Sequence, residues 1–146
     1  KKRGIFMKNF DLPNTGFFAK GDPLPEPLRK NFSGACYLNP IIPANSPLGC
    51  SVSNVTFEPA CRNNWHKHPG GQILLVTGGR GWYQEEGKEA RELHAGDAVE
   101  IHRNVKHWHG AAKDSWFSHI SIETDPKAGP AEWLEPVSDQ EYNQLD

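Results

Sequence analysis

Three cysteines in 146 residues, at Cys36, Cys50 and Cys61, are too few and too unevenly spaced for a disulfide framework. They form no C-x-x-C pair, which argues against a zinc knuckle or a dithiol redox centre, and all three are expected as reduced thiols. The chain also lacks any apolar run near the roughly 18 to 20 residues of a membrane span. Its first residues lack the apolar core, roughly 7 to 15 residues long, of a signal peptide. A membrane partner is therefore not expected, and a cytoplasmic protein is. A broad excess of positive charge is missing as well. Lysine and arginine number 16 against 18 aspartates and glutamates, for a net charge of −2, and the one basic cluster is Lys1-Lys2-Arg3. No face for phosphates is visible, so nucleic acid is not an expected partner. Internal repeats and low-complexity tracts are absent, and the length suits one domain with one site.

What is present changes character near residue 50. Residues 1–50 are rich in Pro, Gly and Asn ("KGDPLPEPLRKNFSG", "NPIIPANSPLG"). Such composition opposes helix and predicts an extended N-terminal arm packing on the core, with an edge strand near "ACYL". From residue 51, short apolar stretches recur about ten residues apart: "SVSNVTF", "QILLVT", "RGWYQEE", "ARELH", "DAVEIH", "KHWHGA" and "SWFSHISIE". Turn residues separate them at "TGG", "EEGK", "HAGD" and "HRNV". Short, evenly spaced strands predict an all-β sandwich or barrel, with its core at 51–125. Residues 126–146 read as a tail with one short helix, because Ser138 is followed three residues later by Glu141 in a capping-box pattern.

Two histidine pairs carry the chemistry. In "WHKHPGGQ", His66 and His68 are two residues apart, and residues at i and i+2 share a face on a strand but not on a helix. In "KHWHG", His107 and His109 repeat the spacing. Neutral imidazoles suit a divalent first-row metal. Cys61 could add a sulfur ligand, but its neighbours Arg62, Asn63 and Asn64 read as a solvated loop. His94 and His102 fall in turns and are expected in solvent. Trp65 and Trp108 point away from the neighbouring histidines, toward packing or a subunit interface.

The spacing is specific. His66-x-His68 is followed by three residues and Gln72, then six residues and Gly79; after a further 16 residues come Gly96, five residues, His102, one residue, Asn104, two residues and His107. These blocks, within residues 51–122, resemble the two motifs of the cupin superfamily. The chain departs from the general motifs at Ala60 and Asn104 (in place of Gly), His102 (Pro), Ala111 (Asn) and Gln72 (Glu). An amide at Gln72 leaves the full charge of an ion to a substrate, which implies a stronger Lewis acid with a preference for anionic or readily deprotonated oxygen ligands.

The resemblance implies a single jelly-roll antiparallel barrel with a divalent ion (manganese, iron, zinc or nickel) held by His66, His68, Gln72 and His107. "WHKHPGGQ", "KHWHGA" and "SHISIE" look most like bacterial cupin hydroxynitrile lyases and the cupins associated with carboxymuconolactone decarboxylases. In the lyases the ion is manganese, and the histidine carried over onto His109 acts on the substrate's proton. His119, Phe117 and Trp82 are expected in the substrate pocket. His109 and His119 also admit a plainer reading, as hydrogen-bonded interior histidines, and Phe117 and Trp82 as ordinary core. The implied function is carbon–carbon lyase, decarboxylase or hydroxynitrile lyase chemistry on a small molecule. A metal-dependent dioxygenase and a non-catalytic small-molecule-binding cupin are the alternatives. Pairing through sheet edges into a homodimer or larger homo-oligomer is also implied.

Overall fold

A computed structural model describes residues 17–146. The predicted strands form, and among the described residues every pairing is antiparallel. The strands are β1 (Asp22–Pro23), β2 (Phe32–Ser33), β3 (Cys36–Ile42), β4 (Ser51–Phe57), β5 (Arg62–Asn63), β6 (His66–Lys67), β7 (Gln72–Glu85), β8 (Arg91–His94), β9 (Ala98–Ile101), β10 (His107–Ala111), β11 (Phe117–Glu123) and β12 (Glu132–Trp133). One wall of the curled sheet runs β1-β3-β4-β11-β7 with β9 beyond. The other joins β8, the second half of β7, β10, β5 and β2, with β6 and β12 beside β10. The all-β architecture and the short C-terminal helix are thus both present. Residues 1–16 of the expected arm lie outside the described residues; the rest supplies β1, β2 and β3 and a single turn of helix, α1 (Glu26–Arg29), which opens after Pro25.

Strand β7 explains how one sheet makes two walls. "QILLVT" and "RGWYQEE" are one 14-residue strand, and the turn expected at "TGG" is a bulge. Opposite β11, Ser118 pairs with Gly78 and His119 with Val76, so Thr77 is the extra residue. A bulge shifts the alternation by one. Before it, Gln72, Leu74 and Val76 face inward; after it, Gly79, Gly81 and Tyr83 do. Gly79 sits just past the bulge at φ +73°, where a Cβ would lie 1.8 Å from the Trp116 carbonyl oxygen. Only glycine fits there.

Between the walls lies a core of Phe57, Leu74, Val76, Leu93, Val99, Ile101 and Phe117, with Cys36 and Cys61 among them. All three cysteines are free thiols. A second cluster, Trp65, Trp108, Val137 and Tyr142, lies behind β10, where Trp82 and Leu134 pack against it. The tail covers it and ends in α2 (Asp139–Asn143), whose N-cap Ser138 forms the predicted capping box with Glu141. No described helix is long and apolar enough to cross a membrane.

Candidate metal centre

Alternation puts His107 and His109 on the interior side of β10 and Trp108 on the other. His66, on β6, pairs directly with His107, and their ring centroids are 4.2 Å apart. His68 follows on the same side, its ring 5.0 Å from that of His66 and 5.7 Å from that of His107. The chain then turns through Pro69-Gly70-Gly71. Gly70 passes so close to Asp125 that a Cβ would lie 2.1 Å from its carbonyl oxygen. The turn delivers Gln72 as the first residue of β7, on the inward face.

Hydrogen bonds orient these side chains. His66 Nδ1 donates to the Asn64 carbonyl (2.8 Å) and His107 Nδ1 to the Val105 carbonyl (2.9 Å). In each neutral ring the lone pair therefore sits on Nε2. The Gln72 amide nitrogen donates to Ser121 Oγ at 2.6 Å, which leaves Oε1 as the free end. Six buried side-chain nitrogen or oxygen atoms among the described residues have no protein partner, and His68 Nε2, Gln72 Oε1 and His107 Nε2 are three of them. Buried polar atoms are rarely left so.

His109 differs. Its backbone N–H donates to Asn63 Oδ1 (2.9 Å), which turns the Asn63 amide nitrogen toward His109 Nε2 at 3.3 Å. That nitrogen must accept, so the neutral ring carries its proton on Nδ1 and donates it to His119 Nε2, 3.1 Å away. Burial lowers the pKa of every imidazole here. His68, His107 and His119 are each held down to about 4. His66 and His109 fall well below the usual 6.5 through burial and through neighbouring imidazoles. All five are neutral at pH 7, the state a metal ligand needs.

The nitrogens of His66, His107 and His109, one from each ring, lie within 4.8 Å of one another, so a three-histidine group could hold a metal ion. A cavity of about 570 Å³ opens onto the site. Its lining includes His66, His68, Gln72, His109, His119 and Asn63, with Leu24, Phe32, Val55, Phe57 and Trp133 as apolar wall. Fully buried His107 sits behind His66 as the floor.

Of the expected pocket residues, His119 lines this cavity and Phe117 and Trp82 do not. Phe117 is fully buried behind Phe57 and His119, with ring centroids 5.7 and 5.5 Å away. Trp82 faces the second cluster because the bulge inverted its side of β7. Arg62, Asn63 and Asn64, expected in a solvated loop, are buried instead. Among the site residues that escaped the sequence reading are Asn63 and Trp133. Asn63 stood in a polar run, and Trp133, whose ring stacks 4.5 Å from His66, stood in the tail.

The cupin domain model matches residues 53–122. An (R)-mandelonitrile lyase from Granulicella tundricola is 40% identical over 111 residues, covering 76% of this chain and 85% of that protein. A cupin-like protein from Thermotoga maritima superposes with a TM-score of 0.83 at 46% identity, over 88% of this chain and 95% of that one. A DMSP lyase from Ruegeria pomeroyi shares the fold at a TM-score of 0.61 and 18% identity, over 86% of this chain and 64% of that one. The chain belongs to the cupin family.

Proposed function

We propose that this cupin is a divalent-metal-dependent lyase that breaks or forms a carbon–carbon bond next to a hydroxyl-bearing carbon, as the name of its mandelonitrile lyase relative suggests. The observation that carries the reading is the division among the polar groups. His68 Nε2, Gln72 Oε1 and His107 Nε2 have no protein partner, while both ring nitrogens of His109 are engaged. His66, His68, His107 and Gln72 are accordingly assigned to hold the ion, and His109 to act on the substrate. Although His109 completes the compact three-imidazole group, either of its ring nitrogens would have to give up a protein partner, Asn63 or His119, to ligate.

A bound ion supplies Lewis acidity to a hydroxyl or carbonyl oxygen. His109 lines the cavity and bears its lone pair on Nε2, so on exchanging the 3.3 Å bond from the Asn63 amide for the substrate it takes the hydroxyl proton as the oxygen becomes a carbonyl and the carbon–carbon bond breaks. The same proton then passes to the departing carbanion, cyanide in the case of a cyanohydrin, and no redox step is needed. His119, by accepting from Nδ1–H, holds the ring in the tautomer that keeps the lone pair on Nε2. The apolar wall receives the hydrocarbon part of the substrate.

Elemental analysis of protein purified without added metal, followed by assay on mandelonitrile with and without oxygen, tests this reading. Oxygen-independent release of aldehyde that stops on chelation supports it. Oxygen consumption with product formation would point to a dioxygenase, and saturable binding without turnover to a binding protein; either result overturns the lyase.

A further inference from the structure

On the inward face of β11, His119 and Ser121 are followed by Glu123, which also lines the cavity. It pairs in register with Gln72 on one side and Ser51 on the other. Its carboxylate is half-buried and makes no hydrogen bond or ion pair with any described residue. Among the described residues the lining contains no lysine or arginine, and Glu123 is the one acidic residue there. Every other polar side chain described there is a neutral amide, hydroxyl, imidazole or indole. A carboxylate left without a cation in a partly dry cavity is costly to keep.

We propose that Glu123 is a specificity-determining residue: its charge beside Gln72 rejects substrates that carry a carboxylate and selects neutral ones that offer a hydrogen-bond donor. This rests on the cavity being the substrate site. Three neutral imidazoles and a neutral amide leave a bound divalent cation uncompensated, and on their own they would favour any small carboxylate as an oxygen ligand. Glu123 supplies the opposing charge at short range, where low dielectric keeps it effective. A nitrile and a carboxylate on the same hydroxylated carbon would thus be told apart.

Isothermal titration of the metal-loaded protein with benzoate and with benzamide, which match in shape and differ in charge, tests the proposal. Glu123→Gln preserves size and removes the charge, and Glu123→Ala controls for effects of the new amide. Both variants should bind benzoate about tenfold or more tightly than the wild type does and benzamide more weakly, most of all Glu123→Ala, which has no acceptor for the amide N–H. Unchanged benzoate affinity, equal shifts for both probes, or no binding of either probe to any form overturns the proposal. Charge discrimination without mandelonitrile turnover would sink the lyase reading alone, and turnover with unchanged benzoate affinity would sink this one alone.

Discussion

The two sides of β10 carry similar chemistry toward different ends. Behind the strand, Trp108 Nε1 donates to Gln84 Oε1 (2.9 Å), and the Tyr142 hydroxyl donates to the Ala111 carbonyl (2.6 Å). The Arg62 guanidinium lies over the Tyr142 ring and bonds Asp139 and the Val137 carbonyl. Inside the barrel, one residue to either side of Trp108, His107 keeps an unpartnered nitrogen and His109 is tied to Asn63 and His119. Each unsatisfied buried polar group costs about 1 to 3 kcal/mol. The outer side, where only Arg62 Nε of these groups lacks a protein partner, chiefly stabilises the fold, whereas the inner side spends some of that stability on several atoms held ready for something other than protein.

The sharpest break in that comparison comes from paired substitutions on the inner side. His107→Ala should abolish stoichiometric metal by elemental analysis and lower lyase turnover by about 10³-fold or more, since Lewis-acid stabilisation is worth several kcal/mol. His109→Ala should retain the metal and lower kcat by about 10² to 10⁴-fold, the usual range for a general base. If His109→Ala loses the metal and His107→Ala keeps it, the roles are reversed.

Acid should expose the same cost in the metal-free protein. His68, His107 and His119 sit at about 4 in the folded state against an ordinary value of 6.5. Between those values the unfolded chain binds protons that the folded one refuses, so stability rises with pH. It should be fully present above about 6.5 and decline toward pH 4, by at most about 1.4 kcal/mol per pH unit for each histidine. Thermal melts of chelated protein from pH 8 to pH 5 measure this, and a flat Tm would contradict it. On the outer side the pattern should invert. Tyr142→Phe leaves the Ala111 carbonyl unpaired and should cost about 1 to 2 kcal/mol in denaturant unfolding, with metal content and turnover unchanged.

Much of this contrast was legible in the chain and some was not, for physical reasons. Two-residue spacing assigned His107 and His109 to one face of β10 and Trp108 to the other, because alternation is a local property of a strand. The capping box at Ser138 and Glu141 was readable on the same ground. Trp82 was misassigned because the bulge at Thr77 depends on the pairing of β7 with β11, and nothing local in "VTGGRG" separates a bulge from a turn. Asn63 was missed since a polar run reads as solvated unless tertiary contacts bury it. Glu123 continues the Phe117, His119, Ser121 alternation by one step, a signal that was there to be used.

Two departures from the cupin motif pattern give the mildest test. Ala60 and Asn104 both stand where the motifs have glycine, and both adopt left-handed backbone, at φ 72° and 62°. Asparagine accepts this conformation at little cost, whereas alanine is strained there by about 1 to 2 kcal/mol. Ala60 packs at the edge of the outer cluster, and its N–H is bonded to the Ala112 carbonyl. Ala60→Gly relieves the strain but frees the unfolded chain by about 0.5 to 1 kcal/mol, leaving a net stabilisation of about 0.5 to 1 kcal/mol. Asn104→Gly should be close to neutral or slightly destabilising, by the same balance without the strain. Urea unfolding of both variants measures the difference. Ala60→Gly should gain stability while metal content and turnover stay as they were, because the residue belongs to the side of β10 that holds the fold rather than the ion.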